Sequence, residues 1–230
     1  MNRNLSDCAA MACLPAAAVV SAALPRGAGM EYAKELYLGM KEAGARFGCE
    51  IVGGDTGTWD GKLALSVTIM GRSDGVGLAL RAGARAGDHL YVTGPLGGSI
   101  LGRHMTFTPR VREARELAGT GRVTAMIDLS DGLSRDLAHV CRASRVGAVV
   151  YANQVPIHDD AMRLFQQDGV EPLRHALDDG EDYELLLTAS EELAYPGLVW
   201  VGQVVVEAGV FLKTAEGVTP LGVGAWEHRL

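Results

Sequence analysis

No two cysteines of this chain are spaced for a metal or a redox couple. Cys8, Cys13, Cys49 and Cys141 are scattered, with no CxxC and no histidine at ligand spacing beside them. That excludes a zinc ribbon or a disulfide scaffold and points to reduced, buried thiols in a cytoplasmic protein. A membrane-spanning run is also missing, because the longest apolar stretch, Met11 to Leu24, is short and carries Pro15. Asp7, in the approach to that stretch, is out of place in a secretory leader. Positive charge is scarce: 21 basic against 28 acidic side chains leave a net charge of -7. Such a balance argues against broad contact with a nucleic-acid backbone and leaves nucleotides open, since metal ions bridge carboxylates to phosphates. A Walker loop, GxxxxGK[ST], is absent. No repeat of about 20 to 50 residues is present, which removes solenoids.

What is present is ordinary globular material: 230 residues, 48% hydrophobic and 21% charged, enough for one large domain or two small ones. Helices are expected over Asn4 to Ala12, capped by Asn4 or Ser6 and stopped by Pro15, and over Met30 to Phe47, stopped by Gly48. Strands are expected at Ala16 to Leu24, at "CEIV" running into a glycine-rich turn "GGDTG", and at Lys62 to Arg72, whose alternation predicts one buried face. The polar, flexible "SDGVG", Ser73 to Gly77, marks a domain boundary and divides the chain into residues 1 to 77 and 78 to 230. Beyond it the pattern predicts strands at His89 to Thr93, Ala148 to Tyr151, Tyr183 to Thr188, Val199 to Val205 and Gly209 to Lys213. Helices are predicted at Gly94 to His104, Arg110 to Ala118 and Asp131 to Ser144.

Chemistry is suggested by carboxylates at element ends. Asp7 in "NLSD", Asp55 in "GGDT", and Asp128 and Asp131 in "DLSDG" each lie at a turn or a strand-to-helix seam. Magnesium takes hard oxygen ligands, one or two carboxylates per ion, so separate acidic loops suit magnesium on a polyphosphate. Glycines beside Asp55 and Asp131 let backbone N–H groups approach phosphate oxygens. Two other readings stay open: Ser130 or Asp131 as a helix cap, and Gly-Gly-Asp as plain turn chemistry. "TGPLGGS", Thr93 to Ser99, could offer N–H groups to an anion, and Arg81 and Arg110 could meet phosphate or be surface charge. "DDGEDYELLL", Asp178 to Leu187, crowds five carboxylates before a strand, which demands solvent, a cation or a cationic substrate.

In this order, "NLSDCAAMA", "IVGGDTG", "LRAGARAGDHLYVTGPLGGS", "IDLSDGLSRDL" and "DDGEDYELLL" resemble the segments of the thiamine-monophosphate kinase family. The resemblance implies a two-domain α/β fold of the aminoimidazole ribonucleotide synthetase type, with ATP as co-substrate, thiamine monophosphate as acceptor, Mg2+ as cofactor and a homodimer formed through the N-terminal sheets. It implies Asp7, Asp55, Asp128 and Asp131 as magnesium ligands and Gly54, Asp55, Arg81 and Ser130 as ATP contacts. Glu181 would meet the substrate, and Trp226 of "GAWEH" would either face the thiamine ring or pack on the core. No side chain is implied as a covalent or acid–base catalyst. Two departures stand out: Thr106 and Phe107 occupy positions where the family has Arg-Pro, and family members carry a further acidic "DDAA"-like segment before "NLSD". The expectation from the second is an incomplete N-terminal domain and weak turnover by residues 1 to 230 alone, with a nucleotide-binding remnant, or a related enzyme with another substrate, as the alternatives.

Overall fold

The computed structural model describes residues 1 to 222, so Trp226 lies outside the described residues. Two sheets organise the chain. The first has three strands in the order β2-β1-β3: β1 (Leu14–Pro25), β2 (Glu50–Trp59) parallel to it, and β3 (Ala64–Arg72) antiparallel. Helix α2 (Gly29–Ala45) makes the crossover between the parallel pair. One face of β1, with Val20 and Leu24, is buried, while Val19 and Ser21 on the other face are exposed.

The second sheet has seven strands in the order β10-β9-β6-β8-β4-β7-β5. They are β4 (His89–Val92), β5 (Val123–Asp128), β6 (Gly147–Tyr151), β7 (Leu185–Ala189), β8 (Val199–Val205), β9 (Gly209–Thr214) and β10 (Gly217–Pro220). All pairings are antiparallel except β6 with β9. Both faces of this sheet are covered, which is why its central strands read as unbroken apolar runs. Leu90, Val92, Ile127 and Leu186 bury one face with Leu133 and Leu137 of α5 (Leu133–Ser144) and Leu177 of α7 (Pro172–Asp178). Tyr91, Met126, Leu185 and Leu187 point the other way, onto Ala114 and Leu117 of α4 (Val111–Gly119) and Ala9 and Ala10 of α1 (Asn2–Ala10). Helix α1 therefore belongs in sequence to the first half and in packing to both, since Leu5 reaches Ala18 and Cys49.

Several expectations change. "GGDTG" is the middle of β2, not a turn. At Gly54, with φ at +150°, a Cβ would fall 1.9 Å from the Val20 carbonyl oxygen, so the glycine lets β2 and β1 approach. β3 alternates but buries no residue fully, because it is an edge strand. Gly94 to His104 is not a helix: it is a loop, a 3-10 turn (Ser99–Leu101) and a single helical turn, α3 (Arg103–Thr106), since Gly97, Gly98 and Gly102 all take positive φ. Helix α5 begins at Leu133, and α6 (Asp159–Asp168), α7 and β10 were not foreseen in the sequence.

Candidate functional site

The loop from Asp128 to Gly132 leaves β5 and is fastened on both sides. Towards β7, ladder-like bonds continue past the strand: Leu129 N–H donates to the Glu184 carbonyl, Tyr183 N–H to that of Leu129, and Glu181 N–H to that of Ser130. Towards α5, the buried carboxylate of Asp136 accepts the Asp131 N–H at 3.0 Å. Gly132 is the N-cap of α5, with φ at +100° and no side-chain cap bond. Neither Ser130 nor Asp131 therefore caps the helix, and the structural explanation offered for this acidic pair drops out.

Asp128 is buried, and its Oδ2 accepts the Ser6 hydroxyl at 2.7 Å. Ser6 thus serves the site rather than capping α1, and Asn4 likewise donates to the Val67 carbonyl. Burial raises the Asp128 pKa, the Ser6 bond opposes that, and the charge of Asp7 adds to it. Asp7, on the same helix as Ser6, is also raised by burial, against the pull of Arg81. Arg81 lies close enough to act on Asp7, Asp128 and His139, in a loop whose Gly83 and Ala84 N–H groups are held by Ser144 Oγ. Asp136 is pushed up to about 7 by burial, reinforced by Asp131 and Asp128. The side-chain oxygens of Asp131 and Asp136 and a ring nitrogen of His139 lie within 4.8 Å of one another. Carboxylates held unwillingly in their charged form, next to one another, are the condition a hard cation relieves.

Asp7, Asp128, Asp131 and Arg81 are thus brought to one region. Asp55 takes part in none of these contacts: it sits exposed on the first sheet, opposite Ser21 of β1. Gly54 has its structural explanation in the approach to Val20.

Ser130, Asp131, Gly180, Glu181, Tyr183 and Arg3 line a cavity of 690 Å3, whose lining also includes His175 between Asp168 and Asp179. The crowded carboxylates of "DDGEDYELLL" turn out to be mostly spoken for. Asp178 accepts from Ser134 and Arg174; Asp179 from Gly98 N–H; Asp182 from Gly97 N–H and Arg103; Glu184 from Thr93 and Arg110. The glycine-rich loop that could have received a free anion is therefore filled by the chain's own acids, and Arg110 is committed to Glu184. Glu181 remains, turned into the cavity, with Arg3 against it. Tyr183 stacks on Phe107 at 4.0 Å between ring centroids, so the unexpected Phe107 backs a residue of the lining. Arg3 and Tyr183 escaped the sequence reading; only their nearness in space to Glu181 marks them.

Family models match both halves: AIR synthase related protein, N-terminal domain, over residues 1–73, and the C-terminal domain of the same description over residues 72–195. The thiamine-monophosphate kinase of Rhodopirellula baltica is 44% identical over 220 residues, covering 92% of this chain and 69% of that protein. That of Aquifex aeolicus is 31% identical over 248 residues, covering 98% and 78%. A solved structure described as AaThiL complexed with AMPPCP and TMP superposes with a TM-score of 0.89 at 28% identity, over 99% of this chain and 78% of that one. A HypE–HypF complex, at 16% identity and a TM-score of 0.81 over 96% of this chain and 82% of that one, shares the fold. The two-sheet α/β architecture, the acidic seam around Asp128 and these likenesses agree that the chain belongs to the thiamine-monophosphate kinase family.

Proposed function

We propose that this kinase transfers the γ-phosphate of ATP to thiamine monophosphate, releasing ADP and thiamine diphosphate. The observation that carries the reading is the 690 Å3 cavity in which the Ser130–Asp131 loop and Glu181 face one space. A phosphate monoester with a cationic ring fits that mixture of a metal-type carboxylate and a second acid.

The donor set fits magnesium: Asp7, Asp128 and Asp131 offer only carboxylate oxygens, and burial raises Asp7 and Asp128, to neither of which an arginine is hydrogen-bonded among the described residues. Bound there, magnesium supplies charge neutralisation to the nucleotide phosphates. The residues of the chain do the positioning. Ser6 orients Asp128, Asp136 fixes the loop that carries Asp131, and Arg81 adds positive charge beside the ATP phosphates. An oxygen of the thiamine monophosphate phosphate attacks the γ-phosphorus while the bond to the ADP oxygen breaks. That nucleophile is already anionic, so no general base is called for.

The working form is a homodimer through the first sheet, in the cytoplasm; among the described residues no helix is long and apolar enough to cross a membrane. The test is direct. Purified protein with ATP and magnesium should release ADP only when thiamine monophosphate is added, with thiamine diphosphate as the product. ADP release indifferent to thiamine monophosphate would sink the reading.

A further inference from the structure

We propose that Arg3 and Glu181 form a substrate mimic within the cavity, and that a zwitterionic substrate parts the pair by taking one partner at each end. Glu181 would receive the cationic ring, and Arg3, released, would clamp the phosphate. The proposal rests on the thiamine monophosphate reading above and deepens it by assigning Arg3, on α1, as the residue that selects for the phosphate.

The geometry argues for it in three ways. First, Arg3 and Glu181 are in direct ion-pair contact inside the cavity that also contains Ser130 and Asp131. A phosphate reached by Arg3 is therefore in the same space as the loop that would face the nucleotide. Second, the pair is held loosely at one side and tightly at the other. The Glu181 backbone, with φ at +53°, is pinned between the Ser130 carbonyl, which accepts its N–H, and Ser99 Oγ, which donates to its carbonyl. The Arg3 side chain is 62% exposed and lies 5.9 Å from the Tyr183 ring centroid. An exposed pair of this kind is weak, so parting it costs little. The αL conformation of Glu181 is unusual for a residue with a Cβ, and its backbone is fixed on both sides in the position that turns the carboxylate inward. Third, apart from Asp131, which is read as facing the nucleotide, the other charged side chains of the lining have partners. Asp168 and Asp179 flank His175, and Asp179 also accepts the Gly98 N–H. Arg3 is the guanidinium in the lining, and a guanidinium suits a phosphate by its forked donors.

The consequence is a crossed specificity. Thiamine carries the same cationic ring and no phosphate. In the wild type it must displace Arg3 from Glu181 without giving Arg3 a new partner; thiamine monophosphate supplies one. Calorimetric titration of the full chain with each ligand, for wild type, Arg3→Met, Arg3→Lys and Glu181→Gln, reads this out. Arg3→Met should weaken thiamine monophosphate by about tenfold, the loss of one charge-assisted contact, while leaving thiamine unchanged or tighter. Arg3→Lys should recover part of the loss, and Glu181→Gln should weaken both ligands. Arg3→Met weakening both ligands equally, or neither, overturns the proposal while the functional reading stands. A wild type that binds neither ligand overturns the functional reading and this proposal together. The melting temperature of each variant, expected within a degree or two of wild type for so exposed a side chain, separates lost binding from lost folding.

Discussion

Asp128 and Asp131 share a loop and differ in what their charge costs. Asp128 is buried with Ser6 as its hydrogen-bond donor and Asp7 nearby, so burial and repulsion both favour its neutral form. Asp128→Asn keeps an acceptor for Ser6 and removes the charge. In the metal-free protein near neutral pH it should raise stability, on the order of 1 kcal/mol, while sharply weakening magnesium-dependent ATP binding. Asp131 is exposed, and no hydrogen bond or ion pair among the described residues engages its carboxylate. Asp131→Asn should leave the melting temperature nearly unchanged and lower turnover roughly a hundredfold, the usual effect of about 3 kcal/mol of lost transition-state electrostatics. Thermal melts beside nucleotide titrations check both, and a large stability loss with intact ATP affinity for either variant would return that residue to a structural role. His175 offers a pH test. Burial pulls its pKa down, yet the hydrogen bonds and charges of Asp179 and Asp168 prevail and raise it. A histidine raised in the folded state contributes stability that is complete below its unfolded pKa near 6.5 and fades as pH rises through the folded value. His175→Gln should therefore cost more at pH 5.5 than at pH 9 in urea titrations; equal costs would mean that the imidazolium pairs contribute nothing.

At the scale of elements, the loop before β7 is welded to the loop after β5, and glycine makes the weld possible. A Cβ on Gly180, whose φ is +74°, would sit 2.6 Å from the Ser130 carbonyl oxygen and 3.0 Å from the Asp131 carbonyl carbon. Gly169, with φ at +75°, meets nothing within 4 Å. Gly169→Ala should thus cost only the conformational penalty of about 1 kcal/mol, with activity kept, whereas Gly180→Ala should cost more and displace Glu181 and Asp131 together. Denaturant unfolding and steady-state rates on the two variants make the comparison; matched losses would show that the contact between the loops is slack. The same weld explains what could be read from the sequence and what could not. The strands "HLYV", "LLLT" and "VWVGQVV" and the helix before Gly48 were legible because periodicity and stop signals are local. "GGDTG" was misread because the reason for Gly54 is a strand distant in sequence, Val20 on β1. Of the candidate site, Asp128 and Asp131 announced themselves by position at the seam between β5 and α5, whereas Asp7 lies inside α1 rather than at the turn expected for it. Partner assignments did not: nothing in "DDGEDYELLL" says that Asp179 and Asp182 turn to Gly98 and Gly97 while Glu181 turns to Arg3. Arg110, left open between a phosphate contact and surface charge, was claimed by Glu184 for the same reason.

At the scale of the whole molecule, the two sheets are finished to different degrees. The seven-stranded sheet is covered on both faces by α5 and α7 and by α1 and α4, while the three-stranded sheet carries α2 on one side. Its outer face runs through Val19, Ser21 and Ala23 of β1, opposite Gly53, Asp55 and Gly57 on β2 and Thr68, Ser66 and Ala64 on β3. Small side chains across three strands make a flat surface onto which a second sheet can settle closely, and Val19 is 39% exposed at its centre. A second copy of the chain laid on this face is the homodimer proposed above, and its two faces would bury the apolar area that a lone copy leaves in water. Placing an ammonium group there should prevent it. Val19→Lys lies on a face that the fold itself does not bury, so circular dichroism and unfolding of the dilute monomer should change little. Desolvating two lysines against like charge across a twofold axis costs several kcal/mol, enough to raise the dimer dissociation constant by about a thousandfold. Sedimentation equilibrium over a range of concentrations should show wild type as a dimer and Val19→Lys as a monomer at the same loading. A wild type that sediments as a monomer throughout, or a Val19→Lys variant that dimerises as tightly as wild type, would show that this face is not the interface.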